Sequence, residues 1–188
     1  MWKNTNKTYG LASILLHWLS AISVFALFIV GYWMVDLNYY SEWYRIAPYW
    51  HKSIGILLLF ATLLRLSWRV FHVMPAALSS HSVWVKRGSH LVHLSLYCLL
   101  LVLFISGYLI STADNRALDV FNWFHIPALG ELFNNQADIA GAVHKYIAYL
   151  LIALSLAHAL AAIKHHVIDK DMTLSRMLRI TKTPPMKP

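Results

Sequence analysis

Apolar residues gather into four long stretches, at about 14–35, 51–71, 90–111 and 140–163, with shorter mixed polar and aromatic segments between them. A helix rises about 1.5 Å per residue, and a bilayer's hydrocarbon core is about 30 Å thick, so some twenty apolar residues suffice to cross it. Each stretch meets that length. The pattern predicts an all-α membrane protein, a bundle of four transmembrane helices. No internal repeat, low-complexity block or long linker divides the chain, so residues 1–188 read as a single membrane domain. The first stretch is too long for a signal-peptide core and is not followed by a small-residue cleavage site. It runs instead into Tyr32 and Trp33, as expected of a retained helix.

Composition agrees with a lipid environment. Charged residues make up 13% of the chain and apolar residues 59%, against about 25% charged in soluble domains. The charges are also unevenly placed. Lys3, Lys7, Arg65, Arg69, Lys86, Arg87, Lys164, Lys170, Arg176, Arg179, Lys182 and Lys187 fall at one side of the bundle, and only Arg45, Lys52, Arg116 and Lys145 at the other. Cytoplasmic loops collect Lys and Arg, so both termini are expected inside, an N-in/C-in topology. The net charge of +8 then suits anionic headgroups, and nucleic acid is not an expected partner. Cys98 is the single cysteine, and there is no C-x-x-C-H sequence. Disulfides within the chain, thiolate clusters and covalent haem attachment are excluded.

The loops differ in character. The first outer loop, about 36–50, holds Tyr39, Tyr40, Trp43, Tyr44, Tyr49 and Trp50, as expected of an aromatic belt at the headgroup layer. The inner loop, about 72–89, contains Pro75, Ser79 and Ser80. The second outer loop, about 112–139, is the longest; its stretch from Val120 to Phe124 reads as a short amphipathic turn along the surface, and the loop as a lid over whatever the outer half of the bundle binds.

Histidines supply the candidate chemistry. His144 and His158 lie fourteen residues apart on the fourth stretch, which is roughly 21 Å of helix and almost four whole turns. Both imidazoles therefore leave nearly the same face, each just inside an opposite membrane surface. With the helices antiparallel, the depths match His17 with His158 and His51 with His144. The same fourteen-residue step leads from His51 to Arg65, from His17 to Gly31 and from His93 to Gly107. An inner layer of His17, Arg65, His93 and His158 thus faces an outer layer of Gly31, His51, Gly107 and His144, with Gly55 one turn from His51. Ionisable groups in a membrane are usually functional, and paired imidazoles at two depths suit two haems stacked across the bilayer. His17, His51, His144 and His158 are the expected iron ligands. His93 could replace His17 or His158, or hydrogen-bond a propionate or a quinone. Arg65 could pair with a propionate or snorkel inward, and the glycines could admit a porphyrin or simply pack helices. His72, His81, His90, His125, His165 and His166 are placed at surfaces, in contact with headgroups or water. A haem-free, histidine-lined proton or ion conduit is the remaining alternative.

Several fragments together resemble the bacterial cytochrome b561 family: Leu16-His17-Trp18; His51 with Gly55 and Arg65; Gly88-Ser89-His90-Leu91-Val92-His93 leading to Tyr97; His144 and His158 followed by His165-His166; and the closing Lys170-Asp171-Met172-Thr173-Leu174 with Arg176-Met177. The resemblance covers nearly the whole chain. It implies a four-helix di-haem b-type cytochrome with axial ligands at His17, His51, His144 and His158, moving electrons between an outer-surface partner and membrane quinone. One member type passes electrons from superoxide to ubiquinone; other relatives are membrane anchors that carry electrons for a hydrogenase or formate dehydrogenase. The aromatic outer loop and Lys52, directly after His51, depart from the family pattern where an outer partner would bind. Lys52, Lys145 and Arg45 could focus a small anion such as superoxide there or simply anchor the interface; a periplasmic redox protein is the other possible outer partner.

Overall fold

The computed structural model describes residues 2–78 and 81–178. Ser79 and Ser80 of the inner loop, and the basic residues Arg179, Lys182 and Lys187, lie outside the described residues. Four long helices dominate: α1 (Leu11–Met34), α2 (Trp43–Phe71), α3 (Val83–Thr112) and α4 (Gln136–Val167), with a short α5 (Ser175–Leu178) in the tail. All four long helices have the length and apolar composition to cross a membrane. Few of their side chains are enclosed by protein, and large apolar residues such as Ile22, Ile29, Leu64 and Leu101 point outward. In water such faces would be a liability; against lipid tails they are the expected solvent contact.

The helices outrun the apolar stretches. The first outer loop is shorter than expected, because α2 begins at Trp43 and absorbs Trp43, Tyr44, Tyr49 and Trp50. The inner loop is likewise shorter, since α3 starts at Val83 behind an N-cap at Ser82, whose hydroxyl accepts the Val85 N–H at 3.3 Å. Hydropathy marks only the part of a helix that touches hydrocarbon, and these helices continue into the headgroup layer. At the start of α1, Asn4 Oδ1 accepts from the Gly10 N–H at 2.8 Å and the Ser13 hydroxyl at 2.7 Å, a cap supplied from outside the helix.

Packing is unequal. α1 lies along α2 and α3 along α4, while the two pairs touch each other much less. The bundle is thus two helical hairpins set side by side.

The second outer loop is not the surface turn expected. It forms a two-stranded antiparallel ribbon, β1 (Leu118–Val120) with β2 (Phe124–Ile126). Phe121 and Asn122 both take positive φ (50° and 56°), and the Trp123 N–H closes the turn on the Val120 carbonyl at 2.9 Å. Val120 is wholly buried, and with Leu118 and Ile56 it makes a small core that seats the ribbon on α2. Phe121 in turn packs edge-on to Trp50 at 5.1 Å and Tyr49 at 5.9 Å. Those two rings therefore anchor the loop as well as facing the membrane boundary. Ser53, fully buried on α2, takes the Phe121 N–H at 3.3 Å.

Gln136 secures the other end of that loop. Its Oε1 accepts the Leu132 N–H at 2.7 Å, and its Nε2 donates to the Leu109 carbonyl near the end of α3 at 2.9 Å. The side chain is almost fully enclosed. Gln136→Leu keeps the bulk but strands these buried groups, so it is expected to cost about 2 kcal/mol. Chemical unfolding in detergent should register the loss as an earlier midpoint; an unchanged midpoint would mean that the bonds contribute nothing.

Candidate functional site

Helix geometry brings the histidines of the two hairpins face to face at two depths. At one depth, His17 of α1 meets His158 of α4, with ring centroids 6.4 Å apart and planes at 80°. At the other, His51 of α2 meets His144 of α4, 6.2 Å apart and at 67°. Each couple joins one hairpin to the other. His93 of α3 stands at the first depth too, its ring centroid 5.2 Å from that of His158. Arg65 lies beside them, where its Nη2 donates to His17 Nδ1 at 2.9 Å and its guanidinium approaches the face of Tyr97 at 5.6 Å.

The second depth opens into a cavity of about 770 Å³, within the range of small-molecule and cofactor sites. His51 and His144 line it from opposite sides, with Gly31, Gly55, Gly107 and Leu118 of the ribbon. The long outer loop thus supplies part of the cavity wall. Lys52 and Lys145 also line it, together with Asp36, whereas Arg45 does not.

The glycines act differently from one another. A Cβ on Gly31 would sit 3.1 Å from His51 Cε1, and one on Gly107 would sit 3.2 Å from His144 Cε1. Both glycines therefore make room for an imidazole, not directly for a flat ligand as the layer pattern suggested. A Cβ on Gly55 would meet nothing within 4 Å, consistent with its place on the open cavity wall.

The ring nitrogens have distinct surroundings. His144 Nδ1 lies 3.1 Å from the Leu103 carbonyl and 3.1 Å from the Ser106 hydroxyl. The Ser106 hydroxyl is directed at the Val102 carbonyl, 2.7 Å away. The Leu103 bond therefore places the His144 proton on Nδ1 and leaves Nε2 with a bare lone pair. Sequence reasoning missed Ser106; its only sign there was its position immediately before Gly107. His51 Nδ1 is buried with no hydrogen-bond partner among the described residues.

Of the histidines assigned to surfaces, two are half-buried and have protein partners. His81 and His165 converge with Asp171 at the end of the bundle that carries both termini. His125 fits the surface assignment: it is largely exposed beside Asp119, at 3.0 Å. His72 instead stacks on Trp68, with centroids 3.7 Å apart.

Residues 8–179 match the family model of prokaryotic cytochrome b561. The chain belongs to that family. It is 49% identical over 175 residues to cytochrome b561 homolog 2 of Escherichia coli, covering 93% of each chain. More distant relatives are the probable superoxide oxidase CybB of Yersinia pestis, 27% identical over 92% of this chain and 97% of that one, and cytochrome b561 homolog 1 of Escherichia coli, 26% identical over 90% and 96%. As a family member with four membrane-capable helices, it is a multi-pass bacterial membrane protein of electron transfer, and the family binds haem b.

The glycine contacts lead to a direct test on this b561 protein. Gly31→Val and Gly107→Val push a side chain into an imidazole and are expected to lower haem content, read as Soret absorbance per chain. Gly88→Ala, at a position that does not line the cavity and where a Cβ would meet nothing within 4 Å, should leave it unchanged. Full haem in both valine variants would show that the two rings need not stand where they do.

Proposed function

We propose that the chain binds two haems b, one held by His17 and His158 and the other by His51 and His144, and carries electrons between an outer-surface donor and membrane ubiquinone. The spacing of the two imidazole couples carries this reading. An imidazole nitrogen binds a first-row metal at about 2.0–2.1 Å, and the ring centre lies about 1.1 Å behind it, so two trans imidazoles place their centroids about 6.3 Å apart. The couples stand at 6.4 and 6.2 Å. His93 stands closer to His158, at 5.2 Å, and is left to hydrogen-bond a propionate or quinone.

His17, His51, His144 and His158 would hold the haems, which when bound would supply one-electron outer-sphere transfer. The protein then orients and tunes. The Leu103 carbonyl fixes the His144 tautomer that leaves Nε2 for the metal. Arg65 plays a more active part. A guanidinium only donates hydrogen bonds, so its contact with His17 Nδ1 requires the His17 proton on Nε2. Ligation through Nε2 would need the opposite tautomer, so a bound haem would release Arg65 from His17 and leave its guanidinium to pair with a propionate. Its charge near the inner site favours the reduced state. Arg65→Ala is expected to lower the potential of one haem in a redox titration, and two unchanged potentials would remove Arg65 from this role.

By the positive-inside pattern, both termini face the cytoplasm and the cavity lined by His51 and His144 opens toward the outside of the inner membrane. Lys52 and Lys145 on that cavity wall favour a small anion, and the relative named as a probable superoxide oxidase supports superoxide as the donor. Two superoxide anions give up one electron each and leave as O₂; ubiquinone takes the two electrons with two protons from the inner side. Purified haem-loaded chain should be reduced by superoxide and reoxidised by a ubiquinone analogue. Lys52→Gln with Lys145→Gln should slow the first step at least several-fold at low salt and little at high salt. A chain that takes no electrons from superoxide would instead be a membrane anchor serving a soluble redox partner. Single His→Ala variants test the haems: His17 and His158 should share one phenotype, His51 and His144 the other.

A further inference from the structure

We propose that His81, His165 and Asp171 form a site for a divalent transition metal of the zinc class, at the end of the bundle that carries both termini. None of these residues belongs to the haem layers. They come from three separate places: His81 directly precedes the N-cap of α3, His165 lies in the last turn of α4, and Asp171 follows in the tail. One donor atom from each residue lies within 4.8 Å of the others. Asp171 Oδ2 is 2.7 Å from His81 Nε2 and 3.4 Å from His165 Nδ1. The two imidazoles stand 4.8 Å apart, centroid to centroid. In a tetrahedral site with bonds of about 2.0–2.1 Å, donors sit about 3.3 Å apart, so the Asp171–His165 separation already fits and the Asp171–His81 separation has to open by about 0.6 Å.

The surroundings are organised around those donors. Lys170, between the two aspartates, takes φ 53°, a left-handed turn that folds the tail back on α4. The Thr173 N–H donates to Asp171 Oδ1 at 2.8 Å, which leaves Oδ2 facing the imidazoles. His165 Nδ1 is buried and makes no well-directed hydrogen bond, although Asp169 Oδ2 is 2.7 Å away. Asp169 is itself held by Lys164 Nζ at 2.6 and 2.9 Å. It is therefore placed either to give a fourth donor or to orient a bound water. Two carboxylates against one ammonium leave this pocket negative. Two imidazoles with carboxylate oxygen favour a borderline metal such as Zn²⁺ over Ca²⁺ or Mg²⁺. A bound ion would tie the start of α3 and the tail to the end of α4, two turns beyond His158.

The test is calorimetric titration of Zn²⁺ into tag-free, haem-loaded full-length protein in detergent. One ion per chain should bind with micromolar or tighter affinity. His81→Gln and Asp171→Asn should each weaken that binding at least tenfold while the Soret band stays as in the parent. His81 lies outside the helices, and asparagine can still accept the Thr173 N–H, so both variants are expected to fold. No stoichiometric binding, or a loss of less than tenfold in either variant, would reduce the cluster to a metal-free His–Asp clamp.

Discussion

Everything in this bundle depends on how two helical hairpins are joined. Within each hairpin the helices lie along one another, but between hairpins direct contact is sparse. Among the long helices, what crosses the gap is a set of imidazoles, His17 and His51 from one side, His144 and His158 from the other, while the ribbon between α3 and α4 seats on α2. Lipid offers little reason for apolar helices to prefer each other over acyl chains. Metal ligation across the gap would supply what apolar packing does not. In the proposed reading the cofactors are thus structural as well as electronic, and the lipid-facing exterior needs no further core.

The terminal end of the molecule is fastened by other means. Arg176 reaches the Lys7 carbonyl at 2.7 and 3.0 Å and the Ala76 carbonyl at 3.0 Å, joining tail, amino-terminal segment and inner loop. Trp18, next to His17, donates its indole N–H to the Met177 carbonyl at 2.8 Å. Burial pushes the Asp171 carboxyl up, but hydrogen bonds from His81 and Thr173 outweigh it and hold the group at about 2. The Lys170–Met177 segment, a family-like closing motif in the sequence, is therefore a set of backbone and side-chain clasps.

Much of this was legible from residue order because lipid imposes a simple rule. Twenty apolar residues in a row leave few options, and a fourteen-residue step preserves helix face whatever the neighbours do. Helix ends were less legible: α2 begins at Trp43 and α4 at Gln136, where aromatic and polar residues continue a helix beyond the hydrocarbon. The ribbon escaped notice because its turn places Phe121 and Asn122, neither a glycine, at positive φ. His81 and His165 looked superficial because their meeting depends on a tail that folds back, which no local pattern encodes. Gly31 and Gly107 were found by spacing, yet their neighbours turned out to be imidazole edges.

Those two glycines have a consequence for electron flow. In the proposed reading, an imidazole wedged against helix backbone would have little freedom to swing or tilt when the charge on its iron changes. Such a mounting keeps nuclear rearrangement between oxidation states small, because the environment is already set before the electron arrives. A chain built to hand electrons onward would thus gain speed from the absence of two methyl groups.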